Sequence, residues 1–278
     1  DINDMFKDKI LGHPAGLFVL FFTEMWERFS YYGMRALLVM FFTASLLDGG
    51  WGWPREHAYA IFGTYTSLVY LSTLLGGYFA DKKIGYRYAV VVGALLMTLG
   101  HGAMAVETPF FIYLGLTLLV FGSGFFKPNM TSIISEMYKG KDEKKDGAYT
   151  IFYMGVNAGA FLGILLCGYL GEQVGWRWGF GLAGVFMLFG LLQFWFAQNI
   201  FGNIGTKPVK VDKEAVELSA DEPKLNPFTS FQLGLIAVAA LLGISWIFND
   251  PISKISEGSY NLFDFSMFGM EGSNIAIL

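Results

Sequence analysis

Within twelve residues of a single apolar run stand Glu24, Glu27, Arg28 and Arg35, with Tyr31 and Tyr32 among them. The run extends from about Pro14 to Leu47, longer than the roughly 20 residues of helix that cross a bilayer. At about 100° per residue, Glu24, Glu27, Arg28, Tyr31 and Arg35 share one stripe roughly 100° wide, and Tyr32 lies on its flank. Phe22, Met25, Trp26, Phe29, Met34 and Leu37 take the opposite side. Glu24 and Arg28 are an i,i+4 pair in the favourable order, and Glu27 is one helical step away. Charges inside a membrane are costly, so they turn to a partner or to a wet cavity. Two readings follow: a structural ion pair that tolerates burial, or a face that handles protons and anions.

Similar residue types recur further along the chain. Lys127 follows Phe121-Gly122-Ser123-Gly124-Phe125-Phe126 and precedes Pro128, deep in a second run. The glycines permit close backbone approach, and Pro128 frees a carbonyl and should kink the helix. Lys127 either snorkels to the interface or faces the same path. Asn157, between Gly155 and Gly159, is either interhelical glue or a ligand contact. Tyr65 and Tyr70 need partners for their hydroxyls. Three cations with tyrosines and an amide would suit the carboxylate of an anionic or zwitterionic solute. Such a solute would compete with the glutamates for Arg28, which would couple its binding to that of a proton.

The elements that must position these groups are membrane helices. Of 278 residues 54% are hydrophobic and 15% charged, with mean hydropathy +0.47. A soluble domain carries about 25% charged residues. The fold class is therefore an all-α polytopic membrane protein. The lone cysteine, Cys167, has no disulfide partner, and His13, His57 and His101 are scattered, so neither a metal site nor a cofactor is expected. The first apolar segment is too long and too charged for a cleavable signal.

Helices are expected at about 15–46, 57–80, 88–106, 110–135, 148–171, 177–200 and 229–248. The expected division is an interfacial segment at 1–14, a six-helix bundle at 15–203, a polar linker at 204–228, and one or two extra spans at 229–278. A cytoplasmic N-terminus puts 13 Lys and Arg inside against two outside, Arg55 and Arg177, a strong positive-inside bias.

The pattern Glu24-x-x-Glu27-Arg28-Phe29-x-Tyr31-Tyr32-Gly33 resembles the helix-1 motif of the proton-dependent oligopeptide transporter (POT/PTR2) family, within the major facilitator superfamily. Phe152-Tyr153-x-x-x-Asn157-x-Gly159 resembles that family's helix-5 signature, and Gly124-Phe125-Phe126-Lys127-Pro128-Asn129 its helix-4 lysine motif. Gly77 to Arg87 is similar to the superfamily's loop between helices 2 and 3. The resemblance covers about residues 15–200. It implies a proton-coupled symporter of di- and tripeptides in the inner (plasma) membrane, not an enzyme and not a partner of nucleic acid. By resemblance, Glu24, Glu27 and Arg28 handle the proton. Arg28, Arg35 and Lys127 hold the peptide carboxylate, while Tyr31, Tyr32, Tyr70 and Asn157 line the site. Asp81, Arg87 and Pro128 belong to the gate.

Two departures stand out. Some members carry a proton-linked histidine where this chain has Gly63, which shifts that role onto the helix-1 glutamates. The second six-helix half is absent, so the chain is expected to be a segment of a longer protein, with that half as its partner in the bilayer. Rival readings are transport of nitrate or a drug-like anion, and a non-transporting receptor for a carboxylate ligand. An intramembrane hydrolase is disfavoured, because no nucleophile or metal ligands accompany the glutamates.

Overall fold

A computed structural model describes residues 9–208, 228–264, 266–267 and 270–271. Most of the expected linker at 204–228, the start of the N-terminal segment at 1–14 and the end of the tail lie outside the described residues. Among the described residues the long helices are α1 Ala15–Thr43, α2 Arg55–Phe79, α3 Tyr86–Met104, α4 Pro109–Met137, α5 Asp142–Gln173, α6 Trp176–Ala197 and α7 Ser230–Ile255. A wide π turn, Ala80–Ile84, continues α2. Strand β1, Lys9–Ile10, pairs antiparallel with β2, His13–Pro14, ahead of α1. Strands β3, Ser266–Met267, and β4, Met270–Glu271, pair near the end.

Six of these helices, α2 to α7, are long and apolar enough to cross a membrane. The exception is α1, where every window of 18 residues holds more than two charged side chains. The helix with the most chemistry is thus the one that composition alone would leave out.

The chain divides into two compact units, Asp1–Trp53 with Leu68–Pro208, and Pro54–Ser67 with Val209–Leu278. In the first, α1 lies against α5 and α6, and α3 against α4 and α6. With no water to drive helices together, close van der Waals contact must do so, and small residues make it possible. Gly155, Gly159 and Gly163 of α5 recur every four residues and abut the backbone carbonyls of Phe21, Met25 and Phe29. A Cβ on Gly155 would stand 2.9 Å from the Phe21 oxygen, and one on Gly159 or Gly163 would collide outright. The α3–α4 contact is reciprocal: a Cβ on Gly93 would stand 2.6 Å from the Gly122 oxygen, and one on Gly122 2.8 Å from the Gly93 oxygen.

The unit also meets its backbone needs where water is absent. Beyond α1 the chain folds back, so that Trp51 N donates to Phe41 O at 3.2 Å and Trp53 N to Phe42 O at 2.8 Å. Helix α4 continues through Pro128. The carbonyl left without its amide donor, that of Gly124, is pressed against Gly76 of α2. Nearby, Ser72 Oγ donates to Val120 O at 2.7 Å.

In the second unit, α7 opens on a capping box of Thr229 and Gln232 and continues through Pro251 to Ile255, beyond the expected end near 248. Proline removes the donor that the Ile247 carbonyl would take, and Thr64 Oγ1 replaces it at 3.1 Å. Helix α5 likewise starts earlier than expected. The charged stretch read as a loop is helical from Asp142, with Asp142 and Glu143 in its first turn, where negative charge is favoured.

Candidate functional site

Burial of the stripe on α1 follows from its packing. Glycines of α5 draw one flank in, aromatic rings of α6 pack on the opposite side of the helix, and Glu24, Glu27 and Arg28 are left with 5%, 0% and 5% exposure. Arg28 meets Glu27 through both forks: Nε bonds Oε2 and Nη2 donates to Oε1 at 2.7 Å. Its Nε also lies 3.2 Å from Glu24 Oε1. The principal partner is thus the adjacent residue and not the i,i+4 residue that the spacing favours. Both residues sit near the middle of the buried stripe, and the long arginine folds back over its neighbour. Among the described residues Glu24 Oε2 is buried without a hydrogen-bond partner. The two carboxylates therefore differ, one being clasped on both oxygens and the other on one.

The guanidinium also stands 4.8 Å above the Tyr31 ring and 5.8 Å from that of Tyr32, which meet edge to face. Tyr31 is buried and Tyr32 half-buried. The charges of both Arg35 and Arg28 act on Tyr31, as does the Tyr70 hydroxyl. Tyr70 in turn lies beneath Lys127, whose Nζ is 4.8 Å from its ring centroid. The Lys127 charge also acts on Glu24. Residues of α1, α2 and α4 are thereby brought into one electrostatic cluster: Glu24, Glu27, Arg28, Tyr31, Arg35, Tyr70 and Lys127.

Asn157 is exposed on α5. Tyr70 is likewise 61% exposed. Asp81 lies in the π turn that continues α2, whereas Arg87 Nη1 donates to Gly202 O at 2.7 Å and its backbone N to Gly205 O at 2.9 Å. Gly205 N is in turn bound by Glu136 Oε2 at 2.7 Å. Arg87 thus ties the start of α3 to the segment after α6, and Pro128 remains within α4. Gly63 has open space where a Cβ would stand, so packing does not demand glycine there.

Sequence reasoning passed over several polar groups. Ser30 Oγ donates to Ala183 O at 2.7 Å, and Trp26 Nε1 donates to Gln193 Oε1 at 3.0 Å. An amide inside Leu191-Leu192-Gln193-Phe194 was the available signal. Thr23 and His101 are also buried.

A family model described as "PTR2: POT family" matches residues 87–219. The peptide transporter YePEPT of Yersinia enterocolitica subsp. palearctica is 45% identical over 66% of this chain and 36% of its own length. A di-/tripeptide transporter of Lactococcus lactis subsp. cremoris is 40% identical over 71% of this chain and 40% of its own. A crystal structure of a mutant peptide transporter POT in complex with alafosfalin superposes with a TM-score of 0.72 at 36% identity, over 92% of this chain and 54% of that one. The chain thus spans about half the length of that structure and less of the two curated relatives. Family model, relatives and architecture agree, and the chain belongs to the POT family.

Proposed function

We propose that the whole protein carries di- and tripeptides across the inner membrane together with protons, by alternating access between this six-helix bundle, residues 15–203, and a second one. Glu24 and Glu27, with Arg28, handle the proton. Arg28, Arg35 and Lys127 hold the peptide's carboxylate end, and Tyr31, Tyr32, Tyr70 and Asn157 line the rest. Asp81, Arg87 and Pro128 act in gating at the inner side, and the N-terminus is cytoplasmic. The observation that carries the reading is the Glu24–Arg28–Glu27 cluster with the Lys127 charge acting on it. A carboxylate arriving at Arg28 meets a cation already engaged by two acids, so the peptide and a proton favour one another. The printed substrates of the relatives, and the excess of Lys and Arg on the proposed inner side, support the assignment.

The test is uptake of labelled dialanine into liposomes holding the full-length protein. An inward proton gradient is expected to drive accumulation. Uptake indifferent to the gradient would exclude symport.

A further inference from the structure

Gln193 of α6 is half-buried in an apolar run, and α1 reads its amide at both ends. Its Oε1 accepts from Trp26 Nε1 at 3.0 Å, and its Nε2 donates to Val19 O at 3.1 Å and lies 3.4 Å from Thr23 Oγ1. Val19 and Trp26 are seven residues apart, about two turns, and so share one face. A helix carbonyl points toward the C-terminus and a side chain leans toward the N-terminus, so both reach the level of a single amide.

Apart from Gln193, α6 holds α1 through Ser30 Oγ, which donates to Ala183 O at 2.7 Å, and the packing described next is apolar. Helix α5 offers it Gly155, Gly159 and Gly163, and α6 a stacked ring, Phe186, with its centroid 4.1 Å from that of Phe29. Such surfaces are smooth, whereas hydrogen bonds are directional, and in a bilayer no water replaces a broken one. Trp26 lies about 200° around the helix from Glu24, so a grip on its indole fixes where the opposite face points.

We propose that Gln193 is a positioning residue that sets the rotation of α1 and so aims its Glu24–Arg28–Glu27 cluster at the Lys127 side. It rests on the reading of α1 as the proton-handling helix. Among the described residues, the titratable and charged groups around the Glu24 and Glu27 carboxylates are Arg28 and Tyr31 of α1 and Lys127 of α4, with Arg35 and Tyr70 around Tyr31 in turn. Turning α1 carries its own charged groups together and changes their approach to Lys127 and Tyr70.

The experiment uses the full-length protein in liposomes, with Gln193→Met, of similar length but without the amide, and Trp26→Phe, which removes only the indole donor. Two readouts are taken across pH: gradient-driven dialanine uptake, and carbodiimide modification of Glu24 and Glu27 read by peptide mass spectrometry. Both variants are expected to move the modification midpoint in the same direction by about half to one pH unit, the scale of one interhelical hydrogen bond. The double variant should move it no further than the larger single one, and counterflow at fixed pH should change less than about twofold. A midpoint that stays at the wild-type value in folded Gln193→Met overturns the proposal, as does an additive double variant. If Gln193→Met does not fold, Trp26→Phe decides by the same criterion. If wild-type uptake ignores the gradient, the symport reading fails, and the modification profile still decides the role of Gln193.

Discussion

Helices α1 and α4 are each 29 residues long, and both carry charge into the apolar layer, yet they balance it in opposite ways. In α1 the cation and its carboxylates lie within one turn of each other, and Arg28 engages Glu27 and Glu24 inside its own helix. In α4, Lys127 has no carboxylate at ion-pair distance among the described residues and rests on the Tyr70 ring. A helix neutral within itself can enter a membrane as a unit. A cation facing only an aromatic ring keeps its hydrogen-bonding capacity for something else. The proposed peptide carboxylate would take up that capacity, so α4 would serve binding alone where α1 serves both binding and proton handling.

The largest effect should separate the two. Arg28→Met strands two buried carboxylates, and removing one partner of a buried pair costs about 3–5 kcal/mol. Lys127→Met removes a cation–π contact worth about 0.5–1 kcal/mol at an accessible site. Thermal unfolding in detergent checks the contrast, and equal losses would mean that Lys127 is structural too. Lys127→Met should instead weaken the binding of free dipeptides by about 10- to 100-fold, the worth of a charge-assisted hydrogen bond of about 1.5–3 kcal/mol. C-terminally amidated dipeptides should lose far less. If both ligand types weaken alike, carboxylate recognition by α4 is wrong.

A smaller difference is expected within α1. Glu24→Gln and Glu27→Gln should each abolish gradient-driven uptake while peptide counterflow survives. Glu27 is bonded on both oxygens and Glu24 Oε2 on none, so Glu27→Gln should also lower the unfolding temperature and Glu24→Gln should leave it nearly unchanged. Persistence of driven uptake in both variants would make the carboxylates structural.

The sequence disclosed most of α1 because ionisable residues in an apolar run break a strong rule, and their 3.6-residue phase shows which face they share. It could not disclose that Arg28 would prefer Glu27, since that choice depends on how a long side chain folds within a packed site. Gln193 was visible as an amide in an apolar run, but its partner Trp26 looked like a lipid-facing or packed aromatic until α6 was placed beside it. Arg87 was read with Asp81 in one loop. Its contacts are with Gly202 and Gly205, more than a hundred residues on, and no local spacing encodes that. The last helix was expected to end near 248, but a threonine from α2 supplied the donor that Pro251 lacks and the helix went on.

The weakest expected effect lies where the two helices are joined at one end. His13, just before α1, meets Tyr138, just after α4, with Nδ1 and Oη 2.6 Å apart. The site is outside the membrane-spanning segments. Burial, and then the charge of Lys144, hold the His13 imidazole below its ordinary value of 6.5, while burial pushes the Tyr138 hydroxyl up. A histidine harder to protonate when folded than when unfolded stabilises the fold above pH 6.5 and loses that contribution as pH falls toward the lowered value. The loss should be no more than about 1 kcal/mol, the scale of one hydrogen bond. Unfolding temperature should therefore fall between pH 7.5 and 5 in the wild type. It should fall less in Lys144→Gln, which removes the second cause, and least in His13→Gln, which removes the titrating group. A His13→Gln profile parallel to the wild type would show that the two helices are not coupled through this ring.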